Sequence, residues 1–234
     1  MTFVFPSLRK GVSRNPAWGI ACFILAFLLS SETGFGDGHR EDFVDVGQIE
    51  GIRVDLRYAS EKNFTGENLY GGHRLAFLHR DAAAKLEGAA ALLQALKPGW
   101  NILVLDALRP LETQKRLWEK VKGTGLEKYV ADPKKGSTHN YGFAVDATLV
   151  DSNGLEVDMG TPYDSFEPLA QPKLELALLR EGKLTAAQLE NRRLLREVME
   201  MNGFKQLPIE WWHFDALAKE EVRHRYPVVE RLNY

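Results

Sequence analysis

Three stretches of the chain have the apolar patterning and the end signals of helices. The Ala/Leu-rich residues 80–96 predict the first helix, which a Lys-Pro-Gly segment ends. Residues 111–122 predict the second. The third begins at Thr185-Ala186-Ala187-Gln188, a sequence of the capping-box type, and runs to Met201.

Four stretches are typical of strands. Residues 51–58 alternate apolar and polar positions, and residues 101–106 form a short apolar run that predicts a buried strand. Residues 142–150 predict another strand followed by a turn at residues 151–154, and residues 204–214 predict a strand pair. Two polar, glycine-containing segments predict irregular loops: residues 63–72 and 159–166. Because strands and helices follow one another without a β-α-β rhythm, we predict an α+β fold.

The first 36 residues differ from the rest and have the layout of a secretory signal. A short apolar run covers residues 17–29, and small residues follow it. Three basic residues precede the run: Arg9, Lys10 and Arg14. The run is short for a membrane-spanning helix, which needs about 20 residues. We therefore predict a signal peptide at residues 1–36, with an uncleaved N-terminal anchor as the alternative, and one folded domain at residues 37–234.

Composition limits the classes of protein that the chain can belong to. Its 234 residues, 44% of them apolar, suffice for a full core in one domain. The formal net charge of −2 provides no basic surface for nucleic acid, so we expect no nucleic-acid partner. The single cysteine, Cys22, excludes a disulfide framework and a cysteine-based zinc site. Any metal must therefore be held by histidine and carboxylate side chains.

Two segments supply the residue types of a zinc hydrolase. His139 and Asp146 lie on either side of Gly142, at a predicted loop-to-strand transition where a bend can turn both side chains inward. His213 follows Glu210 by three residues in a tryptophan-rich segment. His139, Asp146 and His213 supply a three-ligand set with room for a fourth position, and Glu210 is placed to handle protons there.

Each of these residues also has a structural interpretation. His139 can be an ordinary surface histidine and Asp146 a turn cap, while Glu210 and His213 can form a structural ion pair. On a straight strand, Glu210 and His213 would point to opposite faces, so shared chemistry requires a bend or bulge, which Pro208 favours. The functional interpretation depends on both segments occurring in one chain.

The pattern Ser-x-His-x6-Asp followed by Glu-x-x-His resembles the zinc D,D-peptidases that cut the D-alanyl ends of bacterial cell-wall peptides. Among them it is most similar to the D-alanyl-D-alanine dipeptidase family of M15 peptidases. Five segments carry the resemblance: residues 58–66, 106–110, 137–149, 159–164 and 210–213. It implies a single α+β domain, hedgehog-like, in which helices flank a mostly antiparallel central sheet. It also implies one Zn²⁺ per chain.

The same resemblance implies a role for each site residue. The implied zinc ligands are His139, Asp146 and His213. Glu210 matches the catalytic base and Arg109 the arginine that stabilises the transition state, although a structural ion pair is the alternative for Arg109. Three residues match positions near the bound dipeptide: Ser137, Asp164 and Tyr58. Turn capping is the alternative for Ser137 and Asp164. Two departures bear on pocket width more than on the reaction: Asn140-Tyr141 and Pro162-Tyr163.

These observations predict zinc-dependent hydrolysis of the free D-Ala-D-Ala dipeptide in the periplasm or envelope of a bacterium, in cell-wall turnover or glycopeptide resistance. We expect the small dipeptide as partner and no stable membrane association after signal removal. One alternative is a D,D-carboxypeptidase that trims longer wall peptides; Asp164 argues against it, because a carboxylate that reads a free ammonium in a closed pocket rejects longer chains. The other is a non-catalytic wall-peptide-binding module, against which the intact Glu210 argues.

Overall fold

A computed structural model of the chain describes residues 34–35 and 40–233. The described residues contain nine strands: β1 (Gly34–Phe35), β2 (Phe43–Asp45), β3 (Ile52–Val54), β4 (Phe77–His79), β5 (Asn101–Asp106), β6 (Ala144–Val150), β7 (Lys205–Gln206), β8 (His213–Asp215) and β9 (Leu232–Asn233). They also contain five α-helices: α1 (Arg80–Leu96), α2 (Leu111–Val121), α3 (Glu175–Arg180), α4 (Ala186–Met201) and α5 (Lys219–Arg225). All of these elements belong to one compact unit, which confirms the α+β class.

The central sheet has five strands in the order β3-β5-β6-β8-β7. Only β3 and β5 are parallel, and every other neighbouring pair is antiparallel. The parallel pair needs a crossover connection, and α1 lies within that connection. The prediction of a mostly antiparallel central sheet is therefore confirmed. Two small antiparallel pairs, β2 with β4 and β1 with β9, lie outside the central sheet.

Helices α1 and α4 contact each other and the central strands β5 and β6, so they cover one face of the sheet. Both helices lie where the sequence predicts them, because local signals define their ends. The Nδ1 atom of His79 accepts a hydrogen bond from the backbone N–H of Asp81 at the start of α1. Thr185 and Gln188 form the predicted capping box at the start of α4.

Strand β6 contributes side chains to both faces of the sheet, and only one of these faces packs against the helices. Successive side chains of a strand point to opposite faces. Val145, Ala147 and Leu149 belong to the main core under the helices, whereas Asp146 and Thr148 occupy the alternate positions on the opposite face. All seven residues of β6 are buried, which shows that both faces are covered.

The observed elements differ from the prediction mainly where the elements are short. The strand predicted at residues 51–58 covers only Ile52–Val54, and a 3-10 turn at Arg57–Ala59 follows it. The second predicted helix ends at Val121, one residue early. The strand pair predicted at residues 204–214 exists as β7 and β8, joined by an irregular segment. Helices α3 and α5 and strands β2 and β4 were not predicted, because six or seven helical residues, or three extended ones, give too little periodicity.

The predicted signal peptide lies outside the described residues, apart from β1, which pairs with β9. Its cleavage and the boundary at residue 37 therefore stay predictions. Among the described residues, no helix combines the length and the hydrophobicity needed to cross a bilayer.

Candidate metal centre and catalytic cleft

Strand register aligns three polar residues across the sheet. Asp146 on β6 lies opposite His213 on β8 and, on its other side, opposite Asp106 at the end of β5. Directly opposed residues of antiparallel strands place their side chains on the same face, about 5 Å apart. The register of β5 shifts between Val104 and Asp106, an irregularity immediately beside the site.

His139 reaches this row from the segment that precedes β6. It lies in a four-residue 3-10 helix, Thr138–Tyr141, and Gly142 ends that helix in the left-handed conformation with φ of 72°. A side chain at Gly142 would place its Cβ 2.9 Å from the backbone nitrogen of His79. Only glycine suits both this conformation and this close approach. The predicted bend at Gly142 therefore brings His139 and Asp146 together.

The three candidate ligands form a nearly equilateral triangle of donor atoms. His139 Nε2 is 3.2 Å from His213 Nδ1 and 3.3 Å from Asp146 Oδ1, and the last two atoms are 3.0 Å apart. Ligand atoms at about 2.0–2.1 Å from a tetrahedral zinc ion lie about 3.3–3.4 Å from one another. The donor set and its spacing therefore fit a divalent ion, and this is the one group of at least three such side chains in the described residues that could hold one.

The other nitrogen of each histidine ring has a partner that orients the ring. His139 Nδ1 is 2.6 Å from the carbonyl oxygen of Ala107, and His213 Nε2 is 3.1 Å from a carboxylate oxygen of Asp215. Asp215 in turn accepts a hydrogen bond from the hydroxyl of Thr138. Such second contacts fix which nitrogen faces a metal and make that nitrogen more basic.

Opposite charges within the triangle shift the pKa values of His213 and Asp146. Burial lowers the pKa of His213, but Asp215 and Asp146 outweigh burial and hold that pKa well above its ordinary value. Burial raises the pKa of Asp146, but His139 and His213 hold it well below its ordinary value. Asp146 is therefore ionised at neutral pH and supplies a negatively charged oxygen beside the two imidazole rings. Tyr163 donates a hydrogen bond of 2.9 Å to Asp146 Oδ2, which leaves Oδ1 for a ligand.

Glu210 lines the same cleft as the three candidate ligands. The strand β8 begins only at His213, and a turn in which the Glu210 N–H donates to the Leu207 carbonyl precedes it. The distortion that Pro208 predicts is therefore present, and it lets Glu210 and His213 line one cleft. Burial, the largest cause, raises the pKa of Glu210 to about 7, with His213 opposing and Asp146 adding to the shift. A carboxyl that titrates near neutral pH can both accept and release a proton.

Arg109 takes part in an ion pair and lines the cleft. Its Nε and Nη2 donate to Asp106 Oδ2 at 2.8 and 2.6 Å, and its Nη1 donates to Gln114 at 2.9 Å. Nη2 also lies 3.7 Å from Asp146 Oδ2. A guanidinium has five N–H donors. The three hydrogen bonds to Asp106 and Gln114 use three of them and hold the group in place, so two donors are left for a ligand. The ion pair predicted as the alternative for Arg109 is thus compatible with a functional position.

Asp164 and Tyr58 meet on one wall of the cleft. The Tyr58 hydroxyl donates to Asp164 Oδ1 at 3.1 Å, and Asp164 Oδ2 is buried without a hydrogen-bond partner. Among the described residues, Asp164 is the only non-glycine with positive φ, at 59°. Burial raises the pKa of Asp164 well above its ordinary value; Asp146 adds to this shift and Arg109 opposes it. A buried, unpaired carboxylate oxygen marks a place for a positively charged ligand group.

Ser137 caps a helix, as the alternative for it predicts, and it also lines the cleft. It caps the 3-10 helix, because its side chain accepts from the His139 N–H at 3.4 Å while its own N–H donates to Asn140 at 2.7 Å. Its side chain also lines the cleft, whose volume is about 260 Å³. All eight residues singled out in the sequence line this cleft: Tyr58, Arg109, Ser137, His139, Asp146, Asp164, Glu210 and His213.

Sequence reasoning missed Asp215 and Tyr163 as supports of the triangle. Asp215 had a signal, because residues two apart on a strand share a face and Asp215 follows His213 by two. Tyr163 had no local signal, since it lies in an irregular segment whose path depends on the rest of the fold.

Comparisons with known proteins agree with this geometry. The profile of the family described as Peptidase_M15, D-ala-D-ala dipeptidase, matches residues 39–231. The D-alanyl-D-alanine dipeptidase of Escherichia coli (strain K12) is 32% identical over 175 residues, which cover 74% of this chain and 84% of that protein. The protein of the same name from Enterococcus faecalis is 26% identical, over 72% of this chain and 88% of that protein. The one from Streptomyces coelicolor is 29% identical, over 77% of this chain and 93% of that protein. The chain therefore belongs to the D-Ala-D-Ala dipeptidase family of M15 peptidases and is a hydrolytic enzyme.

Proposed function

We propose that this enzyme is a zinc-dependent dipeptidase that hydrolyses free D-Ala-D-Ala to two molecules of D-alanine. The observation that carries the proposal is one cleft that holds both a metal-sized triangle of donors and an unpaired buried carboxylate oxygen, on Asp164. A metal ion held by the triangle would act on the peptide bond, and the carboxylate would pair with the free ammonium of a dipeptide. The names of the relatives support the choice of D-alanyl-D-alanine as substrate.

The donor set favours zinc over the other common divalent ions. Two imidazole nitrogens and one carboxylate oxygen are typical ligands of catalytic zinc, whereas magnesium and calcium prefer oxygen ligands alone. His139, Asp146 and His213 would hold the ion. Zinc in such a site lowers the pKa of a coordinated water from 15.7 to about 7 and polarises a carbonyl oxygen.

Glu210 is the group that moves the proton. Its carboxylate accepts a proton from the attacking water and later delivers it to the nitrogen of the leaving D-alanine. A pKa raised toward neutrality makes the second transfer easier, because the protonated form is then accessible. The bond between the carbonyl carbon and the amide nitrogen breaks, and the products are one carboxylic acid and one amine.

Arg109 stabilises the negative charge that develops on the carbonyl oxygen. Asp106 and Gln114 hold its guanidinium in the cleft wall before substrate arrives, so little reorganisation is needed. Preorganised donors of this kind typically contribute about 100- to 1,000-fold in rate. The bonds to Asp106 and Gln114 are therefore the means by which Arg109 is aimed.

Asp164 and Ser137 select the length of the substrate. Asp164 pairs with the free ammonium, while Ser137, which lines the same cleft, hydrogen-bonds the backbone or the carboxylate of the dipeptide. An N-acylated or longer peptide has an amide where the dipeptide has its ammonium, so it would leave Asp164 buried and unpaired. This contact favours a dipeptidase over a D,D-carboxypeptidase that acts on longer wall peptides.

We also propose that the enzyme works in the bacterial envelope, on dipeptide released from or destined for the cell wall. The support for this location is the signal-like pattern of residues 1–36. Both wall turnover and glycopeptide resistance would use the same reaction.

The test measures hydrolysis by the purified protein of free D-Ala-D-Ala and of a pentapeptide that ends in D-Ala-D-Ala, together with its zinc content. We expect rapid release of D-alanine from the dipeptide only, about one zinc per chain, and loss of activity on chelation. Glu210→Gln should keep the zinc and lose on the order of 100- to 10,000-fold in kcat. Faster turnover of the pentapeptide would favour the carboxypeptidase, and no hydrolysis of either peptide by the zinc-loaded protein would overturn the proposed reaction.

A further inference from the structure

One buried guanidinium, that of Arg192 on α4, binds both ends of the segment that carries Asp164. Its Nε donates to the carbonyl oxygen of Met159 at 2.7 Å, and its Nη2 donates to the carbonyl oxygen of Leu169 at 3.0 Å. Arg192 has no exposed surface. The two carbonyls are ten positions apart in the chain, so a single side chain closes residues 159–169 into a loop. We call these residues the Asp164 loop.

The Asp164 loop supplies three contacts on which the site depends. Asp164 accepts a hydrogen bond from the Tyr58 hydroxyl, and Tyr163 donates one to Oδ2 of Asp146, a candidate metal ligand. Thr161 accepts a hydrogen bond of 2.8 Å from the ring N–H of Trp211, which adjoins Glu210. The loop contains no helix or strand between its ends other than the start of a 3-10 turn at Pro168. The path of the loop along the cleft therefore depends on side-chain anchors, such as the hydrogen bonds from Arg192 and Trp211.

Neighbouring groups hold the guanidinium itself in place. Arg192 Nη1 faces Glu175 Oε1 at 3.6 Å, and the other Glu175 oxygen accepts from Arg196 at 2.6 Å. The guanidinium also lies 5.9 Å from the ring of Trp211. Arg192 thus has an ion-pair partner, Glu175, on α3 and an aromatic neighbour, Trp211, and both of its hydrogen bonds go to the loop.

We propose that Arg192 is a positioning residue that sets the preference of the enzyme for free dipeptides, because it fixes the Asp164 loop at both ends. The proposal rests on the proposed function, in which Asp164 binds the substrate ammonium. Arg192 does not line the cleft and acts only through the loop. A planar fork with several fixed donors can span two carbonyls, whereas a lysine ammonium is a single point on a flexible stem.

The test compares wild type with Arg192→Lys on two substrates, D-Ala-D-Ala and N-acetyl-D-Ala-D-Ala, in buffer with saturating zinc. The N-acetylated substrate has no ammonium and does not need Asp164. We expect the variant to raise KM for the free dipeptide and to reduce the preference, the ratio of the two kcat/KM values, by about 10- to 100-fold, the scale of a misplacement near 1 Å. Because both values come from one sample, their ratio does not depend on the fraction of folded enzyme.

Arg196→Lys is the matched control. Arg196 lies on the same helix and binds the same Glu175, but its hydrogen bonds go to Glu175 and Gln206 and not to the Asp164 loop. We expect this control to lower the melting temperature and to keep the wild-type preference. If Arg192→Lys yields no active enzyme, Arg192→Gln, which keeps one donor group, replaces it under the same criterion.

An unchanged preference in an active Arg192 variant would overturn the proposal and reduce Arg192 to a stabilising buried ion. A loss of preference in Arg196→Lys equal to that in Arg192→Lys would overturn it as well, since any damage to α4 would then suffice. Failure of the proposed function would give a different result. In that case the wild-type enzyme itself would not hydrolyse the free dipeptide, or would not prefer it over the N-acetylated substrate.

Discussion

Asp164→Asn tests how the enzyme distinguishes a free dipeptide from a longer or acylated peptide. The substitution keeps the size of the side chain and an oxygen that can accept the hydrogen bond from the Tyr58 hydroxyl. It removes the negative charge from a carboxylate whose second oxygen is buried and unpaired. Binding of an ammonium group should therefore suffer, while the fold and the metal site should not.

The size of the effect follows from the burial of the pair. Removing one partner of a buried, hydrogen-bonded charge pair costs about 2–5 kcal/mol, which is roughly 30- to 4,000-fold. Burial and Asp146 raise the pKa of Asp164, so part of the pairing energy is used to ionise the carboxyl. We therefore expect the lower part of the range, about 30- to 300-fold in kcat/KM for D-Ala-D-Ala.

The assay measures release of D-alanine from D-Ala-D-Ala and from N-acetyl-D-Ala-D-Ala. The acetylated substrate should lose no activity, because it brings no charge to position 164 and the variant leaves no carboxylate buried and unpaired against it. Asp151→Asn is the control: Asp151 caps a turn outside the Asp164 loop, where it accepts a hydrogen bond from the Asn153 N–H at 2.9 Å, and it does not line the cleft. Equal losses on the two substrates would refute the assignment of Asp164 to the ammonium.

Three further substitutions and one thermal measurement test other parts of the site. His213→Ala removes one of three ligands and should release the zinc, which elemental analysis would detect; a full zinc equivalent in the variant would exclude His213 as a ligand. Asp215→Asn should weaken zinc affinity about 10- to 100-fold in a chelator competition, and unchanged affinity would mean that Asp215 does not support His213. Gly142→Ala should lower the free energy of unfolding by at least about 1–2 kcal/mol in a denaturant titration. The reason is that φ of Gly142 is 72° and that the added Cβ would lie 2.6 Å from a ring carbon of Phe43. Wild-type stability of the variant would contradict that geometry. The raised pKa of Asp164 in the folded state means that this carboxyl destabilises the fold at any pH above its ordinary pKa. Asp164→Asn should therefore raise the melting temperature at pH 7, and this gain should vanish below about pH 4. No gain at pH 7 would contradict the raised pKa.

The sequence predicted the elements whose ends carry local signals. Helix α1 was predicted with its observed bounds, and α4 was predicted from its capping box, because side-chain caps and apolar spacing are properties of neighbouring residues. Strands β2 and β4 escaped prediction because each has three residues and is defined by its pairing with the other. Pairing between distant segments leaves little trace in either segment alone.

The candidate site divides in the same way. The bend at Gly142 and the distortion before His213 could be inferred, since a glycine and a proline mark them. The opposition of Asp146 and His213 could not, because strand register follows from the packing of the whole sheet. The Asp164 loop is the least predictable part, since its course depends on a buried arginine 28 positions further along the chain.

Anomalous diffraction at the zinc edge, on crystals of the purified enzyme, tests the central claim most directly. We predict one strong peak about 2.0–2.2 Å from His139 Nε2, Asp146 Oδ1 and His213 Nδ1, with Glu210 lining the same cleft. A hydrolytically active crystal sample whose zinc peak lies elsewhere, or which has no metal peak between these three side chains, would contradict the account.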